Sequence, residues 1–160
     1  MADIFLKLGD IDGESTDGKH PNWIEIDAYS FGIAQGGSAL MLPAERPALQ
    51  DVAVVKVLDK STPLLFLKCA TGEHIPDGTL TVRKAGGSQQ DFFIIKMSDL
   101  IVSGVSPNLS SSGEPEAEPT STESVSFNFS KIELTFVFQD AAGGTTEFKS
   151  GWDLKKNQKV

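Results

Sequence analysis

Residues 125–139 read VSFNFSKIELTFVFQ, and the order of apolar and polar side chains along them sets the fold class. Val125, Phe127 and Phe129 alternate with Ser126, Asn128 and Ser130; then Ile132, Leu134, Phe136 and Phe138 take over the apolar positions. A period of two is that of a strand with one face in a core. The odd-to-even slip at Ser130-Lys131 requires a bulge or bend, so one long strand from about Glu123 to Gln139 is expected to turn a barrel corner and serve two sheets. This predicts an all-β chain.

Shorter runs elsewhere carry the same signal. Ile4, Leu6 and Leu8 fall on one face with Lys7 on the other. From Trp23, the residues Ile24, Ile26 and Ala28 oppose Glu25 and Asp27, after which Tyr29, Phe31 and Ile33 become the apolar set, a second change of parity that suits a small barrel. Further strands are expected at Val52 to Leu58, Thr79 to Lys84, Phe92 to Met97, Leu100 to Val105 and Thr146 to Leu154. One segment departs from this pattern. Ser61-Thr62-Pro63 offers a cap and a first-turn proline, Leu64 to Ala70 has no breaker, and Gly72 closes a single short helix. Two segments read as loops: Gly36 to Leu49, and the acidic low-complexity stretch Ser110 to Ser124 (SSSGEPEAEPTSTES), expected to be flexible and unable to pack.

At 160 residues and 17.1 kDa, with 39% hydrophobic residues, the chain has the size and apolar content of one domain over 1–160. A net charge of -8 disfavours nucleic acid, which needs a basic face to displace counterions. Cys69 is the one cysteine, so packing and not an intramolecular disulfide holds the fold, and a buried apolar role is expected for it. The start, Met1-Ala2-Asp3-Ile4-Phe5-Leu6-Lys7, lacks the charge pattern of an export signal, and the uncharged run from Ala28 to Ala44 is broken by Gly32, Gln35, Gly36, Gly37 and Ser38, so no membrane insertion is expected.

Candidate chemistry is sparse. Asp10, Asp12, Glu14 and Asp17 resemble a calcium loop only in charge, because Ser15 and Pro21 stand where the sixth-position glycine and twelfth-position glutamate would be, so they read as a solvated turn. His20 and His74 have no ligand spacing with each other or with Cys69, which predicts no metal and structural or surface roles. There is no G-x-S-x-G elbow, and Gly36-Gly37 and Gly86-Gly87 precede no lysine-bearing helix start, so neither a hydrolase nor a phosphate loop is expected. No cofactor is implied. Lys149, Lys155, Lys156 and Lys159 make the C-terminal end basic against the acidic Glu114, Glu116 and Glu118, a solvated pattern that also suits head-to-tail contacts.

Several blocks, in order along nearly the whole chain, resemble the haemolysin-coregulated protein (Hcp) family of type VI secretion systems. They are residues 3–11 (DIFLKLGDI) with Gly13-Glu14-Ser15, residues 24–32 (IEIDAYSFG), 59–63 (DKSTP), 72–76 (GEHIP), 80–87 (LTVRKAGG), 125–129 (VSFNF) and Gly151-Trp152. The resemblance implies a two-sheet β-barrel with one short α-helix on its flank and a long extended loop. It implies no enzymatic activity. Six-membered rings stacking into a tube are implied, with effector proteins sheltered in the lumen and spike, sheath and baseplate proteins as partners. It also implies a cytoplasmic protein that is secreted through the machine. By the family pattern Ser30 is a lumen-facing, effector-contacting position. Leu40, Met41, Leu42 and Leu49, apolar in a segment expected to be polar, are read as an inter-subunit or inter-ring contact. The segment SALMLPAERPAL (38–49) departs from the family's glycine-rich version, and Ser110 to Ser124 carries extra acids and prolines. The competing reading is a secreted β-barrel binding module that stands alone, without tube assembly.

Overall fold

The computed structural model describes residues 3–35, 46–84, 90–110 and 120–160, with Leu109, Ser110 and Thr120 described by backbone only. Along these, β1 (Asp3–Leu8), β2 (Ile24–Ile26), β3 (Ala28–Ser30), β4 (Ile33–Ala34), β5 (Ala48–Leu49) and β6 (Val52–Val57) lead to α1 (Thr62–Thr71). Then follow β7 (Ile75–Arg83), β8 (Asp91–Ser110), β9 (Thr120–Gln139), β10 (Thr145–Asp153) and β11 (Gln158–Lys159). The chain is mainly β with a single helix among the described residues, as the alternation predicts. Every pairing is antiparallel, in the order β11-β10-β9-β8-β7-β1-β2, while β6 joins β9 to β3 and β4 pairs with β5 apart from the rest.

The long strand does what its slip demands. Its first half pairs with β6 (Val52↔Phe127 to Val57↔Thr122), its second half with β10 (Lys131↔Asp153 to Gln139↔Thr145), and β8 accompanies it from Thr120 to Phe136. The corner lies at Ser130, where the hydroxyl donates to the Asp99 carbonyl and carboxylate, both at 3.1 Å. Asp99 itself holds a left-handed φ of 49°, so both strands bend together. Phe129 and Ile132 are buried on either side of the slip. The second parity change, expected after Ala28, falls one residue earlier and is a change of sheet: β2 pairs with β1 and β3 with β6, and Ala28 is exposed on the side of Ser30 instead of sharing the face of Ile24 and Ile26. The path β1-β2-β3-β6-β9-β8-β7 returns to β1 through this covalent step, so the hydrogen-bonded ladder is not closed all the way round. A core of Leu6, Leu8, Ile24, Val52, Val54, Leu80, Ile95, Met97, Leu100, Val125, Phe127 and Leu65 of α1 fills the interior.

Several expectations need correction. The two strands expected at Phe92–Met97 and Leu100–Val105 are one strand, β8, with a bulge between Val102 and Gly104. Phe136 and Phe138 lie on the face of Ile132 and Leu134 but beyond the end of the core, and they are exposed, as is Ile33, while Thr135 and Val137 on the opposite face are buried. The acidic stretch is shorter than its composition suggests: the ladder continues to Ser110↔Thr120, and Glu123 is fully buried. Ala48–Leu49, at the end of the expected loop Gly36 to Leu49, form β5. Gly72 ends α1 in the left-handed conformation, at φ 66°, as expected. Ser61 makes no side-chain cap to the helix, because its hydroxyl donates to Asp59 instead.

Candidate functional site

Ser30 is exposed at the end of β3, and the register shows what surrounds it. It lies opposite Ala53 of β6, which lies opposite Ser126 of β9, which lies opposite Gly104 of β8; directly paired residues share a face of an antiparallel sheet. The next row on this face is Ala28, Val55, Ser124 and Ser106. Its opposite side carries the buried Val52, Val54, Val125 and Phe127. The outer face is therefore built of small side chains, half of them serine, and almost uncharged. Its one organised network is held by Asp51, whose carboxylate accepts from the Ser103 hydroxyl at 2.6 Å and the Asn128 amide at 3.0 Å, while Ser103 and Ser126 share a hydrogen bond of 2.8 Å. Ser103 is the extra residue of the β8 bulge, which is how it reaches Asp51. Such a surface offers hydrogen bonds and steric room.

Leu49 is partly buried against the core and, with Phe31, Ile33, Ile132, Leu134 and Trp152, lines an apolar groove beside β10. Leu40, Met41 and Leu42 lie outside the described residues. The structure thus places Ser30 and Leu49 on separate surfaces.

Two charged networks escaped the sequence reading. Lys56 is fully buried and pairs with the equally buried Glu123, with Asp59 at 3.0 Å and the Thr62 hydroxyl at 3.4 Å, tying β6 and β9 to the start of α1. A signal was present: Lys56 has the parity of Val52 and Val54, and Glu123 that of Val125 and Phe127. In the second network, His20 is buried, stacked on Phe5 at 4.4 Å, with Asp17 2.9 Å from Nδ1 and Asp91 3.1 Å from Nε2. Arg83 donates to Asp17 at 2.6 Å and to Asp3 at 2.8 Å. Asp17 is thus no solvated turn residue. The hydrogen bond from Arg83, then that from His20, holds its carboxyl well below the usual carboxylate range, and Asp3 and Asp17 raise the Arg83 guanidinium.

The Thr81 hydroxyl lies 3.4 Å from His20 Nε2, so hydroxyl, imidazole and carboxylate stand in the order of a hydrolytic triad. Thr81 is 3% exposed, however, and Asp91 competes for the same nitrogen, so no substrate carbonyl reaches the hydroxyl. Among the described residues no cluster of three or more His, Cys, Asp or Glu has the arrangement of a metal site, and no helix is long and apolar enough to cross a membrane.

The family model described as "Type VI secretion system effector, Hcp" matches residues 5–136. The chain belongs to the Hcp family. Hcp proteins are tube components of type VI secretion systems. The Hcp chain is 37% identical to protein hcp1 of Pseudomonas aeruginosa over 98% of its own length and 97% of that protein's. It superimposes on the crystal structure of Hcp1 from Salmonella typhimurium with a TM-score of 0.79 at 34% identity, covering all of both chains. A second solved structure, described as a type six secretion system protein, gives 0.88 at 25% identity, again over the whole of both chains.

Proposed function

We propose that this Hcp chain is a structural subunit of a six-membered ring that stacks into the inner tube of a type VI secretion machine. In this reading the face of Ser30 turns to the lumen, where effector proteins are sheltered and exported with the tube, and spike, sheath and baseplate proteins are its further partners. The observation that carries the reading is the face itself. A family of tube proteins needs an inner wall that lets folded cargo rest without gripping it. The rows Ser30-Ala53-Ser126-Gly104 and Ala28-Val55-Ser124-Ser106 supply small side chains with few charges, backed by a rigid buried layer. Many weak contacts repeated around a ring then act together.

The test is co-expression of an effector with the wild-type chain and with Ser30→Glu, reading ring size by light scattering and effector recovery by co-purification. Glutamate adds bulk and a ring of like charges to a confined surface, so effector recovery is expected to fall while ring size stays unchanged. A strictly monomeric wild-type protein at micromolar concentration contradicts ring assembly. Unchanged recovery across several effectors removes Ser30 from the cargo surface, and lost rings place β3 at a contact between copies instead.

A further inference from the structure

One carboxylate stands alone on the Ser30 face. Asp51, the residue before β6, is half-buried there, and its partners are the Ser103 hydroxyl and the Asn128 amide; no cation pairs with it among the described residues. The strand rows that make up this face, from that of Asn128 to that of Thr122, hold neither lysine nor arginine. Neutral donors orient a carboxylate without cancelling its charge. Ser103 donates its proton to Oδ2 and so accepts from Ser126, a chain polarised toward the carboxylate, while Asn128 fixes Oδ1. Each oxygen thus takes one hydrogen bond and keeps a second lone pair free among the described residues. The arrangement is complete within one copy, drawn from the start of β6, the bulge of β8 and the middle of β9, and Ser103 and Asn128 are exposed.

The geometry points to Asp51, oriented by Ser103 and Asn128, as a docking point for an arginine side chain of the cargo protein. The inference rests on the reading above that this face meets cargo. A guanidinium is planar and offers paired N–H donors that match the two carboxylate oxygens, so a fork already oriented accepts it bidentately; an ammonium is a point charge without that fit. The rest of the face carries no charge to compete, so an acidic cargo surface meets repulsion there and a neutral one gains nothing from the carboxylate. One such contact at an open surface is weak, which suits cargo that must be let go, and repetition around a ring adds hold. A carboxylate added at Ser30 has neither these donors nor a matching cation on the cargo, so the loss expected for Ser30→Glu is consistent with this assignment.

The experiment uses the full chain and a fluorescein-labelled peptide, Ser-Arg-Gly-Arg-Ser, followed by anisotropy at low ionic strength, where exposed charge pairs are least screened. Asp51→Asn keeps the shape and removes the charge. Circular dichroism and ring size are expected to match wild type, while the dissociation constant of the peptide rises at least about fivefold. A peptide with citrulline for arginine, similar in shape but neutral, is expected to bind wild type as weakly as the arginine peptide binds Asp51→Asn. Glu25→Gln removes one exposed charge on β2 and is expected to leave affinity unchanged, which separates the site from net charge. Equal affinity for wild type and Asp51→Asn overturns the assignment and leaves Asp51 as a pin for the β8 bulge. Equal weakening by Glu25→Gln overturns it too, as does undiminished binding of the citrulline peptide. Rings lost in Asp51→Asn overturn it by placing Asp51 at a contact between copies. A wild-type chain that is monomeric, yet loses the peptide on Asp51→Asn, supports the arginine site and overturns the ring reading alone.

Discussion

Replacing Lys56 by methionine removes the cation that the fully buried Glu123 and the partly buried Asp59 share, and leaves both carboxylates without their counter-charge. Removing one partner of a buried pair costs about 3 to 5 kcal/mol, because the remaining charge is desolvated without compensation, and two stranded carboxylates place Lys56→Met near the upper end. Glu123→Gln is milder. It leaves Lys56 with Asp59 at 3.0 Å and keeps an acceptor for the Thr62 hydroxyl, now 3.0 Å from Glu123, so about 2 kcal/mol is expected. For a chain of this size each kcal/mol lowers Tm by about 2 to 4 °C, giving a fall of about 10 °C or more for Lys56→Met and about half that for Glu123→Gln. The assay is thermal and urea unfolding followed by circular dichroism at fixed protein concentration, since assembly adds to apparent stability. The double variant Lys56→Met/Glu123→Leu is expected to recover part of the loss, as apolar replacements of buried pairs do. A shift under about 2 °C for Lys56→Met would refute the reasoning, because it would mean that the amine reaches water and that β9 is not paired to β6 at Glu123.

Excising Glu114 to Pro119 is expected to leave ring size and Tm unchanged, whereas extending the excision to Ser124 removes Glu123 and is expected to unfold the chain; light scattering and circular dichroism separate the two. The variant Leu40→Ser/Leu42→Ser is expected to weaken rings or stacks with the monomer still folded, and unchanged assembly in sedimentation would count against that segment as a contact. Stability should also fall in acid. Asp17, held down by Arg83 and His20, and Asp99, held down by Lys155, then His74 and Ser130, keep folded-state pKa values below their unfolded ones. Their contribution is present above the unfolded value of about 4 and is lost as pH drops below it toward the folded value. Tm measured from pH 6 to pH 2 should therefore decline more gently in Asp17→Asn and Asp99→Asn than in wild type, and parallel curves would refute the coupling.

Local pattern was enough for the β class, the single helix closed at Gly72, the corner at Ser130 and a break in parity near Ala28, though not for that break being a change of sheet, because side-chain direction alternates with a period that needs no distant partner to be read. The ordered blocks from Asp3 to Trp152 were likewise enough to place the chain in the Hcp family. What the sequence left undecided depended on where elements end relative to one another. Phe136 and Phe138 repeat the pattern of Ile132 and Leu134, yet they are exposed, since periodicity assigns a face and only the neighbouring elements decide how far along the strand that face is covered. Glu123 reads both as the start of the long strand and as the end of an acidic, unstructured run, and it is buried because Lys56, 67 residues away, arrives on the adjoining strand to neutralise it. His20 is enclosed for the same reason, through Asp17, Phe5, Thr81, Arg83 and Asp91 brought together from three strands and a loop. Alternation is a property of the local backbone; burial and charge pairing are properties of which distant segments meet, and the tertiary structure alone decides those.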